Sequence, residues 1–130
     1  MLFRSHYDEK GEEVLETGQQ GSPVPVAKGW LRASHRELDP QKTLPYRPYH
    51  RHQRRQYLNP GEIVEVQVEI WPTCMVFAKG HRLRVDIQPR DGIGSAGYLH
   101  YHADYNTGTN TIYSGPDHPS HLLLPIIPKG

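Results

Sequence analysis

Alternation of apolar and polar positions is sharpest in GEIVEVQVEIWP, where Val64, Val66, Val68 and Ile70 are interleaved with Glu65, Gln67 and Glu69. A period of two sends successive side chains to opposite faces of an extended chain, so this segment predicts a strand with one face buried. The same rhythm returns in GHRLRVDIQP, with Leu83, Val85 and Ile87 set between Arg82, Arg84, Asp86 and Gln88. The Lys79-Gly80 pair just before it predicts a turn. Further strand patterns cover residues 12–16, 24–34, 98–105 and 111–114, and the prolines of LLLPIIP forbid a helix interior and leave an extended stretch. Asn106 to Asn110, reading NTGTN, has the residues of a hairpin connection. No segment carries a helical period, an internal repeat or a second-domain boundary, so residues 1–130 read as one all-β unit.

One stretch breaks the strand rhythm. Residues 35–61, HRELDPQKTLPYRPYHRHQRRQYLNPG, hold four prolines, three tyrosines and a basic cluster from Arg47 through Arg55. A connection of that length in a compact domain is functional, ordered by a partner, or simply solvated. Arg51, Arg54 and Arg55 with His50 and His52 could meet phosphate, but the patch is short. The chain as a whole balances 15 Lys+Arg against 14 Asp+Glu, so no nucleic-acid partner is expected. No membrane partner is expected either, because no apolar run approaches the ~20 residues that span a bilayer. With no apolar signal segment at the start, a cytoplasmic setting fits the sequence. A single cysteine, Cys74, excludes an internal disulfide framework and a thiolate cluster. Twelve Gly and twelve Pro suit short strands joined by turns.

Candidate chemistry is concentrated in GYLHYHADYN. On a strand His100, His102 and Asp104 project from one side, which is a plausible metal-ligand array. The run resembles the opening of the metallo-β-lactamase ligand set, but Tyr105 stands where that pattern wants a histidine. Counted from Gly94, it also resembles the first half of a cupin motif. The expected Glu is replaced by Asn106 or Thr107, and the second half of the motif is missing. Two imidazoles and one carboxylate leave a borderline metal short of donors, so a polar strand face is the simpler reading and no cofactor is expected. Ile93-Gly94-Ser95-Ala96-Gly97 lacks the first glycine of a nucleophile elbow, which makes Ser95 a loop residue. His118 and His121 have no placed serine, and Cys74 in WPTCMVF has no local base. Trp30 and Trp71 are expected as core or interface anchors.

Several separate blocks then carry a family resemblance. PVAKGWLRASHRELDP, TLPYRPYH, PGEIVEVQVEIWPTCMVFAKGHRLRVDI and HADYNTGTNTIYSG, closing on HLLLPIIP, resemble the C-terminal domain of the X-Pro dipeptidyl-peptidase and cocaine esterase-like serine hydrolases. The resemblance implies a jelly-roll, galactose-binding-like β-sandwich that packs on an α/β-hydrolase domain and walls its active-site cleft. In that family the Ser-Asp-His triad lies in the hydrolase domain, and none of its positions maps onto this chain. The connection 35–61, with Tyr46, Arg47 and Tyr49, is the expected reach toward the partner domain, since Tyr and Arg often anchor interfaces. The resemblance implies that the chain starts partway through the first sheet, so the sandwich is expected to lack its first strands. An unpaired edge of that kind predicts self-association. Peptidase and esterase members share the domain, so the scissile bond is not chosen by it. The alternatives are a small cupin-like metal-binding protein using His100, His102 and Asp104, and a free-standing jelly roll that binds a ligand such as carbohydrate.

Overall fold

The computed structural model describes residues 2–17, 23–89 and 108–126. These residues are all-β and antiparallel, apart from one 3-10 turn at Ala33–His35. Six strands follow in chain order: β1 Leu2–Tyr7, β2 Glu13–Val14, β3 Glu16–Thr17, β4 Pro23–Val24, β5 Ala27–Gly29 and β6 Arg82–Ile87. β1 is the hub. One of its edges pairs with β6 along the full six residues, from Leu2↔Ile87 to Tyr7↔Arg82. The other is shared by β5, through Leu2↔Gly29 to Arg4↔Ala27, and β2, through His6↔Val14 and Tyr7↔Glu13. β3 and β4 form a separate two-stranded ribbon.

The turn between β1 and β2 is made by Asp8, whose carboxylate accepts from the amides of Lys10 and Glu12, both at 2.9 Å. Gly11 takes a φ of 87° there, a left-handed conformation that costs glycine nothing. The turn before β6 is where Lys79-Gly80 predicts it: Gly80 has a φ of 86° and the His81 amide donates to the Ala78 carbonyl at 3.1 Å. β6 itself follows from its alternating pattern. On its outer side Arg84 reaches the Asp86 carboxylate at 2.9 Å and lies 4.6 Å over the Tyr7 ring, tying β6 to β1 by side chains as well as by the ladder.

Two expected strands are absent, and one strand is present that no pattern announced. The residues 64–70, with the strongest alternation, form no strand; next to them Trp71 N–H donates to the Lys28 carbonyl at 2.9 Å. The physical reason is that alternation marks a face to be covered, whereas a strand needs a ladder of paired residues; β5 approaches this segment closely at Glu69, but no ladder forms along 64–70 among the described residues. Residues 111–114 likewise form no strand, and the N-terminal strand Leu2–Tyr7, the hub of the sheet, had no alternating signal. The region 24–34 divides into β4, β5 and the 3-10 turn. Residues 98–105, with His100, His102 and Asp104, lie outside the described residues, as does Ser95.

Little is fully buried. Val26 and Ala27 are the buried apolar side chains among the described residues, joined by one imidazole, His6, at 4% exposure. His6 Nε2 sits 2.5 Å from His81 Nδ1, and its ring packs 4.7 Å from Phe77. Its Nδ1 has no partner. Among the described residues several large apolar side chains stand exposed, Val76 at 85% and Trp71 at 65%.

One close approach has a direct consequence. Gly29 in β5 faces the carbonyl of Glu69, and a β-carbon at that position would run into the Glu69 backbone. Glycine in a strand often marks such an approach. Gly29→Ala is expected to destabilise the chain by about 1–3 kcal/mol through overpacking, read as a lower urea midpoint at unchanged slope. An unaltered midpoint would show that the 69–71 segment does not rest on β5.

Candidate functional site

The 35–61 connection is built as a surface with its own internal ties. Its two limbs are zipped by backbone bonds: Asp39 N–H to the Tyr49 carbonyl at 2.8 Å, Arg51 N–H to the Glu37 carbonyl at 3.0 Å and Gln56 N–H to the Ser34 carbonyl at 2.7 Å. Side chains add to them. Arg54 holds Glu37 with two bonds, 2.9 and 3.0 Å, and Arg51 stands 3.9 Å from Glu37 and 4.0 Å from Asp39. At the base Arg36 donates to the Gln56 carbonyl at 2.6 Å and faces Glu62 at 3.7 Å. Glu62 in turn accepts from the Asn59 amide at 2.8 Å and closes the last turn.

These contacts set the charges. The hydrogen bond from Arg54 holds the Glu37 carboxyl below its ordinary range, and the same bond raises Arg54. The Asn59 backbone bond does the same for Glu62, with Arg36 adding to it. Loss of water around His35 lowers its imidazole, and His52, Arg32 and Arg55 push in the same direction.

The zipped limbs press the apolar parts outward. Tyr46 and Arg47 stand on the tight turn closed by Leu44 and Arg47, whose backbones exchange bonds of 3.0 and 2.9 Å; Tyr46 is 72% exposed. Tyr49 lies elsewhere, under the Lys42 ammonium at 4.8 Å from its ring centroid. Tyr49 lines an open cleft of about 310 Å³ together with Trp30, Pro48, His50, His52, Glu69 and Trp71. The indoles of Trp30 and Trp71 meet edge to face, with centroids 6.1 Å apart and planes at 86°. Trp71 is nonetheless 65% exposed. Of the three residues expected at an interface, then, only Tyr49 belongs to the cleft. Trp30 and Trp71 complete it from segments some forty residues apart, and no local spacing rule could have joined them.

The same surface holds three imidazoles. His35 Nδ1 and His52 Nδ1 are 3.2 Å apart, and the His50 and His52 rings lie 5.9 Å apart. His50 Nε2 is 2.9 Å from the Gln67 carbonyl, which makes it the protonated nitrogen, and its buried Nδ1 has no partner. His52 is held at a φ of 54°, the left-handed region, by the bend at this point. Elsewhere, Ser120 Oγ donates to the Tyr113 carbonyl and Cys74 is exposed and free. Among the described residues no group of three or more His, Cys, Asp or Glu side chains converges on a metal position, and no helix is long and apolar enough to cross a membrane.

An antiparallel β-domain with an ordered, aromatic-rich connection is the class of protein that this geometry defines. The chain matches the X-Pro dipeptidyl-peptidase C-terminal non-catalytic domain over residues 5–123, and it belongs to that family. It is similar to the cocaine esterase of Rhodococcus sp. (strain MB1 Bresler), with 28% identity over 131 residues covering 90% of this chain and 20% of that esterase. The chain thus spans about a fifth of the length of that relative. No solved structure matches it.

The depressed carboxylates give a testable sign. A carboxyl whose folded value is lowered stabilises the fold above its ordinary value near 4.5, and that contribution is lost as pH falls through the lowered one. In a 13C carboxyl titration, Glu37 and Glu62 should both have midpoints below that ordinary value. Arg54→Ala should raise the Glu37 midpoint, since its largest lowering cause is removed, and leave Glu62 where it was. A Glu37 midpoint indifferent to Arg54→Ala would mean that the two-pronged bond does not persist in solution.

Proposed function

We propose that this non-catalytic domain packs on the α/β-hydrolase domain of a serine hydrolase acting on esters or X-Pro peptides, and walls its active-site cleft. The docking surface is the 35–61 connection with Tyr46, Arg47 and Tyr49, extended by Trp30 and Trp71. One observation carries the reading: large aromatic side chains stand exposed on a segment that polar ties hold in shape. Exposed aromatic and Arg anchors on an ordered backbone lose little entropy on docking, so such residues dominate interfaces. Family membership supports the division of labour, and the exposed large apolar side chains of the described residues support a partner that covers part of them. Residues 1–130 act as the accessory unit, with 35–61 as its contact element.

A second reading has one observation in its favour. The cleft of Trp30, Tyr49 and Trp71 also contains Glu69, His50 and His52, an aromatic and polar mixture that suits a small ligand of a free-standing module.

Replacing the matching segment of the Rhodococcus cocaine esterase by this chain provides the test. Tyr46→Ala with Tyr49→Ala, and separately Trp71→Ala, should each cost the chimera about 2 kcal/mol of interdomain stability, seen as a lower Tm and reduced hydrolysis. Unchanged melting and turnover in both variants would remove the docking assignment. The chain alone should show no hydrolysis of an X-Pro anilide or an aryl ester, whereas the chimera should.

Apart from its partner the chain should self-associate, since Trp71 and Val76 are exposed at 65% and 85%. Light scattering should give a mass that rises with concentration. A constant monomer mass with a sharp reversible melt would contradict this.

A further inference from the structure

We propose that the face of the hydrolase domain that meets the 35–61 connection is acidic, and that one of its carboxylates takes the guanidinium of Arg47. The inference rests on the docking assignment and adds the chemistry of the partner surface to it. Charge along the chain is its first ground. Of the 15 Lys+Arg, six lie in residues 35–61, and of the 14 Asp+Glu only Glu37 and Asp39 do, which leaves nine against twelve elsewhere. A chain that is almost neutral as a whole thus concentrates its positive charge on the connection, while the remainder is net acidic. An excess of one sign on a docking surface steers toward, and selects, a surface of the opposite sign.

The internal ties single out one cation. Arg54 and Arg51 engage Glu37, Arg51 also stands beside Asp39, and Arg36 faces Glu62. Arg55 donates to the Tyr57 hydroxyl at 3.3 Å, and Lys42 lies over the Tyr49 ring. Arg47 is the cation of the connection whose side chain has no hydrogen bond, ion pair or ring contact among the described residues. Both carboxylates of the connection already serve other guanidinium groups, so the connection offers Arg47 none that is unengaged.

The position of Arg47 is nevertheless fixed by its backbone. Its N–H donates to the Leu44 carbonyl at 2.9 Å, and its own carbonyl accepts from the Leu44 amide at 3.0 Å. Pro45 and Pro48 bracket Tyr46 and Arg47, and each ring locks its own φ near about −65°. The guanidinium therefore stands on a shaped turn next to Tyr46, so a partner that covers the tyrosine takes water from its neighbour as well. A guanidinium stripped of water without a counter-charge is strongly unfavourable. A carboxylate matches its planar fork with two parallel bonds, as Glu37 does for Arg54 at 2.9 and 3.0 Å.

The chimera that carries this chain in the Rhodococcus esterase tests the inference. Arg47→Glu should lower its Tm by about 2–4 °C, and Arg47→Gln by less. Lys10→Glu, the same change of charge at an exposed site on the β1–β2 turn, should leave the Tm where it was. The gap between the parent and Arg47→Gln should narrow as NaCl rises from about 0.05 to about 0.5 M, because salt screens an exposed pair. Arg47→Lys gives a second measure: a carbodiimide, which joins an amine to a carboxylate in contact with it, should link residue 47 to an Asp or Glu of the hydrolase domain, identified by peptide mass mapping. A Tm untouched by Arg47→Glu, or a cross-link from residue 47 confined to carboxylates of this chain, overturns the inference. If the Tyr46→Ala/Tyr49→Ala variant melts lower while Arg47→Glu does not and no link leaves residue 47, the docking surface stands and its acidic partner is overturned. If the tyrosine, Trp71 and Arg47 variants all melt as the parent does, the docking assignment falls and this inference falls with it.

Discussion

The antiparallel ladder between β1 and β6 is the constraint on which the rest of the fold depends. Its six residue pairs join the start of the chain to residues 82–87 and close a loop of some seventy residues. By the usual logarithmic dependence, closing that loop costs on the order of 4 kcal/mol of chain entropy before any contact is gained. The ladder, the Arg84 contacts with Asp86 and Tyr7, and the His6–His81–Phe77 cluster together offset that cost. Everything between 8 and 81 is then held at both ends. β5 is fixed on the opposite edge of β1, and the Trp71 amide ties the 69–71 segment to β5.

Within that frame the 35–61 connection keeps its shape by other means. It has almost no apolar interior of its own, and its order comes from backbone bonds between its limbs and from guanidinium–carboxylate contacts. Single exposed ion pairs are worth little, about 0–1 kcal/mol each. Here Glu37 serves Arg54 and Arg51, Asp39 serves Arg51 and the turn at 39–43, and Glu62 serves Arg36 and Asn59, so each carboxylate fixes more than one part of the chain. The ties are local and mutually dependent, and among the tyrosines of the connection Tyr46 stands the most exposed, at 72%.

How far this was legible in the sequence differs by element, for reasons that are physical. β6 was legible because Leu83, Val85 and Ile87 alternate and because Lys79-Gly80 supplies the turn that starts it. β1 was not, since LFRSHY has no alternation; it is a strand because it is paired on both edges, and pairing partners 25 and 80 residues away leave no local trace. The segment 62–71 shows the reverse. Its pattern describes which side chains want cover, and Val64, Val68 and Ile70 are indeed the less exposed members, yet no ladder forms there among the described residues. Of the candidate site, the aromatic and basic character of 35–61 could be read directly. The cleft could not, because Trp30 and Trp71 meet only once β5 brings the two segments together.

The two parts of the chain also explain why a non-catalytic role suits it. A catalytic centre requires acid, base and nucleophile to be placed against one another and shielded from water, which demands a deep and well-packed surround. Here the buried set among the described residues is Val26, Ala27 and His6, and the cleft beside Trp71 is open. What the chain does have is a sheet hub and, beside β5, a polar-tied connection with exposed aromatic rings. Rigid backbone with exposed rings is poor ground for bond-breaking and good ground for contact, because the entropy of ordering has already been spent within the chain and the rings bring large apolar area with few rotatable bonds.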